Sequence, residues 1–235
     1  MLGIAALAFV GLQLWTALLI VLRGLVFHTK IYRPMLWNLF LSLAPLLVQV
    51  VFGVLLLFAV GFINSQGWGE QAADIIRVLM VLWLVLWALM FPNATYLITE
   101  LNFSHRREND PVPLYYDIVL VFSLALTGFI NALASLSGFQ GLLILAADSV
   151  VITPVEWAIV FIYILASAFA LYLGREVRVN SWDVLHPIAF IKKLGSRLHA
   201  REEWHKALGY TLSFAGLLTI SHLLVFSLLY SALLG

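Results

Sequence analysis

The feature that most constrains this chain is a series of six long stretches without a charged residue, at positions 2–22, 35–69, 78–99, 118–147, 157–174 and 207–235. A helix that crosses the hydrocarbon of a bilayer needs about 20 mostly apolar residues. The composition agrees, because 63% of the chain is hydrophobic, 11% is charged and the mean hydropathy is +1.02. Soluble domains are roughly 45–50% apolar and about 25% charged. The sequence therefore excludes a soluble globular domain, a disordered tail and a secreted mini-protein.

Charge and cysteine content exclude further classes of protein. Thirteen Lys and Arg residues against twelve Asp and Glu residues give a net charge of +1. A protein that binds nucleic acid through bulk charge is strongly basic, so we expect no nucleic-acid partner. The chain has no cysteine, which excludes disulfides, thiolate metal sites and cysteine nucleophiles.

Two of the six stretches are longer than one span. The stretch 35–69 carries Pro45 early and a loop-like segment at 64–67, which predicts one helix over about 36–63. The stretch 118–147 contains Gly138 and Gly141, which predict a span over about 114–137 followed by a short apolar piece. We therefore predict an all-α polytopic membrane helix bundle of about six spans, forming a single integral-membrane domain over 1–235. Seven spans is the alternative if 139–152 crosses alone.

The basic residues predict the orientation of the spans. Twelve of the thirteen lie in the first, third and fifth loops, with Arg77 as the exception. The positive-inside rule places these loops in the cytoplasm and both termini outside. A seventh span would put basic loops on opposite sides, so the charges favour six. No basic segment precedes the first apolar stretch, so we expect no cleaved signal peptide.

The only long polar segment is the predicted cytoplasmic loop at 175–206. Apolar residues recur in it at helical spacing, with basic residues on the other faces. This pattern predicts an amphipathic helix that lies on the cytoplasmic membrane surface. A solvated connector with some helix is the alternative. The apolar positions are Ile188, Ile191, Leu194 and Leu198.

Three polar motifs lie at the predicted cytoplasmic ends of the third, fourth and fifth spans, at 91–101, 113–117 and 172–183. Ionisable residues in membrane segments are functional candidates by default. Helical spacing puts the polar residues of the first motif on one face, beside a kink at Pro92. The candidate ligand-binding residues are Asn93, Tyr96, Glu100, Tyr116, Asp117, Arg175, Arg178, Asn180 and Asp183. His105 and His186 are close enough in sequence to join them.

Simpler roles are available for the charged members of this set. Asp117 lies in a first helical turn, where a carboxylate complements the helix dipole. Asn180 and Asp183 have the spacing of a helix N-cap pair. Arg175 and Arg178 also fit positive-inside anchors, and Glu100 also fits a solvated position beyond the hydrocarbon.

Two other polar features favour structural roles. Thr153, Pro154 and Glu156 predict a capping box with proline at the first helical position, which starts the fifth span. His222 lies in the middle of the last span and is interpreted as a hydrogen-bonded packing residue, with Thr211 and Thr219 within reach of its face.

The three motifs, in this order, resemble a bacterial family of integral-membrane proteins, the domain of unknown function thirteen sixty-one. The resemblance covers the motif-bearing core at about 78–191. It implies a multi-pass protein of a bacterial inner membrane and supplies no reaction. The family pattern usually has Asp with His three positions later, where this chain has Glu100 and Phe103. This difference weakens the case for a metal site common to the family.

Three classes of function remain open. The first is a binding or accessory protein of the plasma membrane, whose cytoplasmic polar site holds a lipid headgroup, a small polar ligand or a membrane-protein partner. Arg175 and Arg178 suit phosphate, and the basic loop suits anionic lipid. The second is an intramembrane enzyme that uses the carboxylates as acid and base or to bind a divalent cation. The third is a transporter lined by Glu100, Asp117 and Asn131.

Overall fold

The computed structural model describes residues 2–66, 69–102, 111–146, 153–178, 186–197 and 199–234. Every regular element in these ranges is helical, and six helices are long and apolar enough to cross a membrane. The predicted all-α multi-pass architecture with six spans is therefore confirmed. The helices are α1 (Leu2–Val26), α2 (Arg33–Gln66), α3 (Gly69–Met90), α4 (Pro92–Tyr96), α5 (Leu114–Ala146), α6 (Pro154–Tyr172), α7 (Pro187–Arg197) and α8 (Arg201–Leu234).

Two of the long helices extend beyond their predicted ends. The helix α2 continues through residues 64–66, which the sequence indicates to be loop-like. The helix α5 continues through Gly138 and Gly141, so the predicted break after residue 137 is wrong, and 139–146 belongs to the same span. A glycine costs a helix only about 1 kcal/mol relative to alanine. A break inside the hydrocarbon would leave backbone groups without partners, which costs more.

The α-helix of the third span is interrupted at Phe91 and resumes at Pro92, where the sequence predicts a kink. The helix α3 ends at Met90, α4 follows, and a 3₁₀ helix then covers Leu97–Asn102. This segment packs closely against α5 at Gly128. A Cβ atom added to Gly128 would lie 2.5 Å from the Cβ of Leu97 and 2.9 Å from the carbonyl oxygen of Ala94. Only glycine allows the two backbones to approach this closely.

The capping box predicted for the fifth span is present. The backbone N–H of Thr153 donates to Oε2 of Glu156 at 2.7 Å, and Pro154 is the first residue of α6. This helix ends in a π-helical turn at Leu173–Val177, and Arg178 follows in the left-handed conformation with φ 55°.

The amphipathic helix predicted in the 175–206 loop is α7. Its Phe190 and Leu194 pack against a cluster formed by the end of α6 and the start of α8. Ile188 and Ile191 are 74% and 65% exposed. The position of α7 on a membrane surface stays a prediction, as does the single domain over 1–235.

The chain divides into two compact units, Met1–Ala132 and Leu133–Gly235, with α5 contributing to both. The core of the first unit joins α1, α2, the 3₁₀ helix and α5 through Leu19, Leu39, Leu97 and Leu120. Many large apolar side chains on the spans are exposed, such as Leu7 at 75% and Phe58 at 73%. Contact with lipid hydrocarbon explains why such side chains face outward.

Candidate functional site

A row of polar side chains joins α1 to α5 inside the first unit, and we call it the α1–α5 ladder. Gln13, Thr16 and Arg23 lie on one face of α1, because they recur at helical spacing. They bond to residues of α5 in the reverse order along the chain, so the two helices run antiparallel. The α5 residues are Asn131, Thr127 and Asp117.

The charged level of the ladder is an ion pair. Nε of Arg23 donates to Oδ1 of Asp117 at 2.8 Å, and the side chains are 12% and 0% exposed. Arg23 lies in the last turn of α1 and Asp117 in the first turn of α5. Each charge therefore also complements the dipole of its own helix. Burial of Asp117 is tolerated because this guanidinium compensates its charge.

The loop after α1 folds back over the ion pair. The hydroxyl of Thr29 donates to the carbonyl oxygen of Arg23 at 3.1 Å, and the backbone N–H of Thr29 donates to the carbonyl oxygen of Gly24 at 3.1 Å. His28 makes the turn with φ 52°. The loop thus satisfies carbonyl groups that the end of α1 leaves without helical partners.

Tyr116, next to Asp117 on α5, also contacts the end of α1 and the residue that follows it. Its hydroxyl donates to the carbonyl oxygen of Leu19 at 2.8 Å, and its ring meets that of Phe27 edge to face at a centroid distance of 5.0 Å. The aromatic side chain therefore fixes the height of α1 beside the start of α5.

The other two levels are neutral hydrogen bonds deeper in the span. The hydroxyl oxygens of Thr16 and Thr127 are 2.8 Å apart. Nε2 of Gln13 donates to Oδ1 of Asn131 at 2.7 Å, and Nδ2 of Asn131 donates to the hydroxyl of Ser42 at 2.8 Å. Ser42 belongs to α2, so Asn131 links three helices.

The predicted site residues of the first unit lie on three segments. Asn93 and Tyr96 are half-buried on α4, which packs against α5. Tyr116 and Asp117 meet the end of α1. The backbone of Glu100 lies in the 3₁₀ helix, and its side chain is outside the described residues.

The predicted site residues of the second unit lie at the end of α6. Arg175 is half-buried in the π-helical turn, and Arg178 is exposed and terminates that turn. The carbonyl oxygen of Arg178 accepts from Nζ of Lys193 at 3.0 Å, which ties α7 to the end of α6. Asn180 and Asp183 lie outside the described residues, so their convergence with Asp117 and Glu100 stays a prediction.

Arg23, which pairs with Asp117, is a functional residue that loop-charge counting does not single out. It ends an apolar helix on the same predicted side as Asp117. The missing signal was the common face of Gln13, Thr16 and Arg23, because three polar residues on one face of an apolar span predict a polar partner helix.

A basic cleft lies near the end of α1, between α1 and the start of α2. Its volume is about 510 Å³. Exposed Lys30 and Arg33 supply positive charge, and Val21, Ile31 and Leu36 supply apolar walls. A second cleft, of about 600 Å³, extends from Arg33 along the exposed ring of Trp37. The α1–α2 loop thus offers cations next to apolar surface.

Carboxylates and histidines are the side chains that could hold a metal ion in a chain without cysteine. Within the described ranges, no group of three or more His, Asp or Glu side chains is arranged to hold a metal ion. The side chains of Glu100, His105 and Asp183, which are candidates for this role from the sequence motifs, are outside those ranges.

Comparison with known proteins identifies a family. The model of a family described as "Protein of unknown function (DUF1361)" matches residues 37–221. The match extends beyond the 78–191 core of the sequence resemblance on both sides. No curated protein and no solved structure matches the chain.

Proposed function

The chain belongs to the DUF1361 family, whose description assigns no reaction, and from its geometry we propose that it binds the phosphate headgroup of an anionic membrane lipid. The observation that carries the proposal is the cleft of about 510 Å³ lined by Lys30 and Arg33 together with apolar side chains. A lipid needs both kinds of surface, because its headgroup is anionic and its acyl chains are apolar.

The surroundings of the cleft suit the membrane interface. Tyr32 and Trp37 are 48% and 59% exposed, and such aromatic side chains favour the headgroup level of a bilayer. A Lys or Arg near an anionic leaflet contributes about 1 kcal/mol to attraction. The guanidinium of Arg33 can also form paired hydrogen bonds with phosphate oxygens. Loop charges predict that this side is cytoplasmic.

The ion pair of the ladder supports the same role. Asp117 is a buried acid of the first unit, and Arg23 compensates its charge. The cleft therefore keeps a positive potential that attracts phosphate. Arg175 and Arg178 supply a separate pair of cations at the end of α6, in the second unit.

The test compares lipid binding to purified protein in detergent by native mass spectrometry. The variant Lys30→Gln/Arg33→Gln removes the two cations of the cleft. The variant Arg201→Gln/Lys206→Gln removes the same charge from exposed positions at the start of α8, in the basic 175–206 loop that also suits anionic lipid, so the pair of variants distinguishes the cleft from the loop. Phosphatidylglycerol is the anionic probe and phosphatidylethanolamine the zwitterionic one, and inorganic phosphate is added as a competitor.

We expect the cleft variant to lose most of its bound phosphatidylglycerol while the α8 variant retains it. Phosphatidylethanolamine should bind weakly and equally to all three proteins. Displacement by millimolar inorganic phosphate would identify free phosphate as the ligand in place of a lipid. Equal phosphatidylglycerol binding by both variants would refute the assignment of the cleft.

A further inference from the structure

Four polar side chains of the second unit form a group that the proposed function does not use; three of them are buried, and Thr219 is half-buried with a buried hydroxyl oxygen. Gln140 and His222 are 0% and 1% exposed, and they meet where Nε2 of His222 and Oε1 of Gln140 are 2.7 Å apart. Ser137 precedes Gln140 by three residues on α5, and Thr219 precedes His222 by three residues on α8. We call these four residues the α5–α8 box.

Each member of the box has a polar atom that remains unsatisfied among the described residues. These atoms are Oγ of Ser137, Nε2 of Gln140, Oγ1 of Thr219 and Nδ1 of His222. Thr211 and Trp83 also carry such an atom, but they lie at other positions on their helices. Four of these atoms therefore concentrate at one contact between two helices.

Helical spacing puts the four atoms at neighbouring levels. Residues three apart share a helix face and differ in height by about 4.5 Å. Successive spans cross the membrane in alternating directions, so the fourth span (α5) and the sixth span (α8) run in the same direction. The bond between Gln140 and His222 fixes their relative height, so Ser137 and Thr219 both lie about one turn before it.

The bond also determines what chemistry the box presents. If Nε2 of His222 donates to Oε1 of Gln140, Nδ1 of the neutral ring is left as an acceptor and the amide N–H groups of Gln140 are left as donors. If the amide of Gln140 is rotated by 180°, its N–H donates to Nε2 of His222 instead. Nδ1 of His222 is then the donor that is left, and the amide oxygen of Gln140 is left as an acceptor. The two hydroxyls can each donate and accept. The box thus presents both donors and acceptors.

Two aromatic rings lie beside the histidine. The ring centroids of Trp157 and Phe226 lie 6.2 Å and 5.6 Å from that of His222. An apolar border makes unsatisfied polar atoms costly, since a buried donor or acceptor without a partner loses its hydration. Buried polar atoms in native proteins are accordingly satisfied by protein or by ordered water.

We propose that the α5–α8 box is an internal binding site for water within the membrane-spanning part of the protein. Water suits the box because one molecule both donates and accepts and typically makes about three hydrogen bonds in such sites. His222 is then a ligand of an internal water cluster. This assignment is independent of the lipid cleft, which lies in the first unit.

The test is water-edited solid-state NMR of the full chain in lipid membranes, with labelled histidine and leucine. The His222 ring is assigned by its loss in His222→Asn. Its build-up of magnetisation from water is compared with that of the Leu218 methyl groups, which are 0% exposed, and with that of the exposed ring of His205.

We expect the His222 signal to build up several-fold faster than that of Leu218 and closer to that of His205. In Ser137→Ala/Thr219→Val, which keeps the histidine and glutamine, the transfer to His222 should slow. A build-up as slow as that of Leu218 in the unaltered protein would overturn the proposal. Fast transfer that is unaffected by the double substitution would overturn the four-residue site, because the hydroxyls then hold none of the water.

Discussion

The α1–α5 ladder and the α5–α8 box use similar residues for burial in an apolar interior, yet they differ in how those residues are satisfied. In the ladder, Asn131 bonds to side chains of two other helices, and Asp117 bonds to an arginine. In the box, one bond joins Gln140 to His222 and four polar atoms stay unsatisfied among the described residues. A buried polar side chain whose atoms bond to other helices joins those helices. A buried side chain that keeps an unsatisfied polar atom can instead bond to a ligand.

The largest effect that we expect comes from the charged level of the ladder. Arg23→Gln removes the guanidinium from a carboxylate that is 0% exposed, and loss of one partner of a buried pair costs about 3–5 kcal/mol. The free energy of unfolding in detergent and SDS mixtures measures this. Arg23→Gln/Asp117→Asn should be more stable than Arg23→Gln. A loss below about 1 kcal/mol, as for exposed pairs, would contradict the buried pair.

A somewhat smaller effect is expected where the first unit packs most closely. Gly128→Ala places a methyl group within 2.5 Å of the Cβ of Leu97, and such overpacking costs about 1–3 kcal/mol. Gly141→Ala on the same helix is the matched control, because no atom lies within 4 Å of its added Cβ. Thermal unfolding should show a decrease for Gly128→Ala and no decrease for Gly141→Ala. Equal responses would remove the evidence for a close contact at Gly128.

Replacing an amide in each region compares them directly. Asn131→Leu removes the described partner of Gln13 and one of the two described bonds of Ser42, and it should cost about 1–3 kcal/mol. Gln140→Leu/His222→Phe replaces both partners of the box by apolar side chains of similar size, which is nearly neutral or stabilising. The free energy of unfolding of the two variants, measured in detergent and SDS mixtures, tests this difference. If the box variant loses as much stability as Asn131→Leu, the box is a structural joint like the ladder.

The smallest effect is expected from a single hydroxyl in each region. Thr127→Val removes a bond to Thr16 and should cost about 1 kcal/mol, the typical net value of one hydrogen bond. Thr219→Val removes a hydroxyl that has no described partner and should leave the melting temperature unchanged in detergent. A larger loss for Thr219→Val than for Thr127→Val would reverse the comparison.

The number of spans could be predicted because charge is so costly in hydrocarbon that six uncharged stretches leave little choice. The ends of the helices could not be predicted equally well. Gly138 and Gly141 indicate a break in soluble proteins, but inside a bilayer the backbone keeps its helical bonds and α5 continues to Ala146. The capping box at Thr153 was predictable because its hydrogen bonds are local.

The candidate site was less accessible from the sequence because its contacts are distant along the chain. An acid within a membrane-spanning segment needs a compensating charge, but the sequence does not show which arginine supplies it. The described partner of Asp117 is Arg23, 94 residues away. Helical spacing shows which residues share a face, but it does not show which two helices pack together.

The sequence distance across the ladder has a consequence for synthesis. Its bonds join residues that are 94 to 118 positions apart, and chains grow at roughly 5–20 residues per second. The helix α1 therefore waits about 5 to 25 s in the membrane before its partner is made. During that interval Gln13, Thr16 and Arg23 face lipid, translocation machinery or a chaperone. The assembled interface therefore forms only some time after α1 has been made, once translation has reached α5.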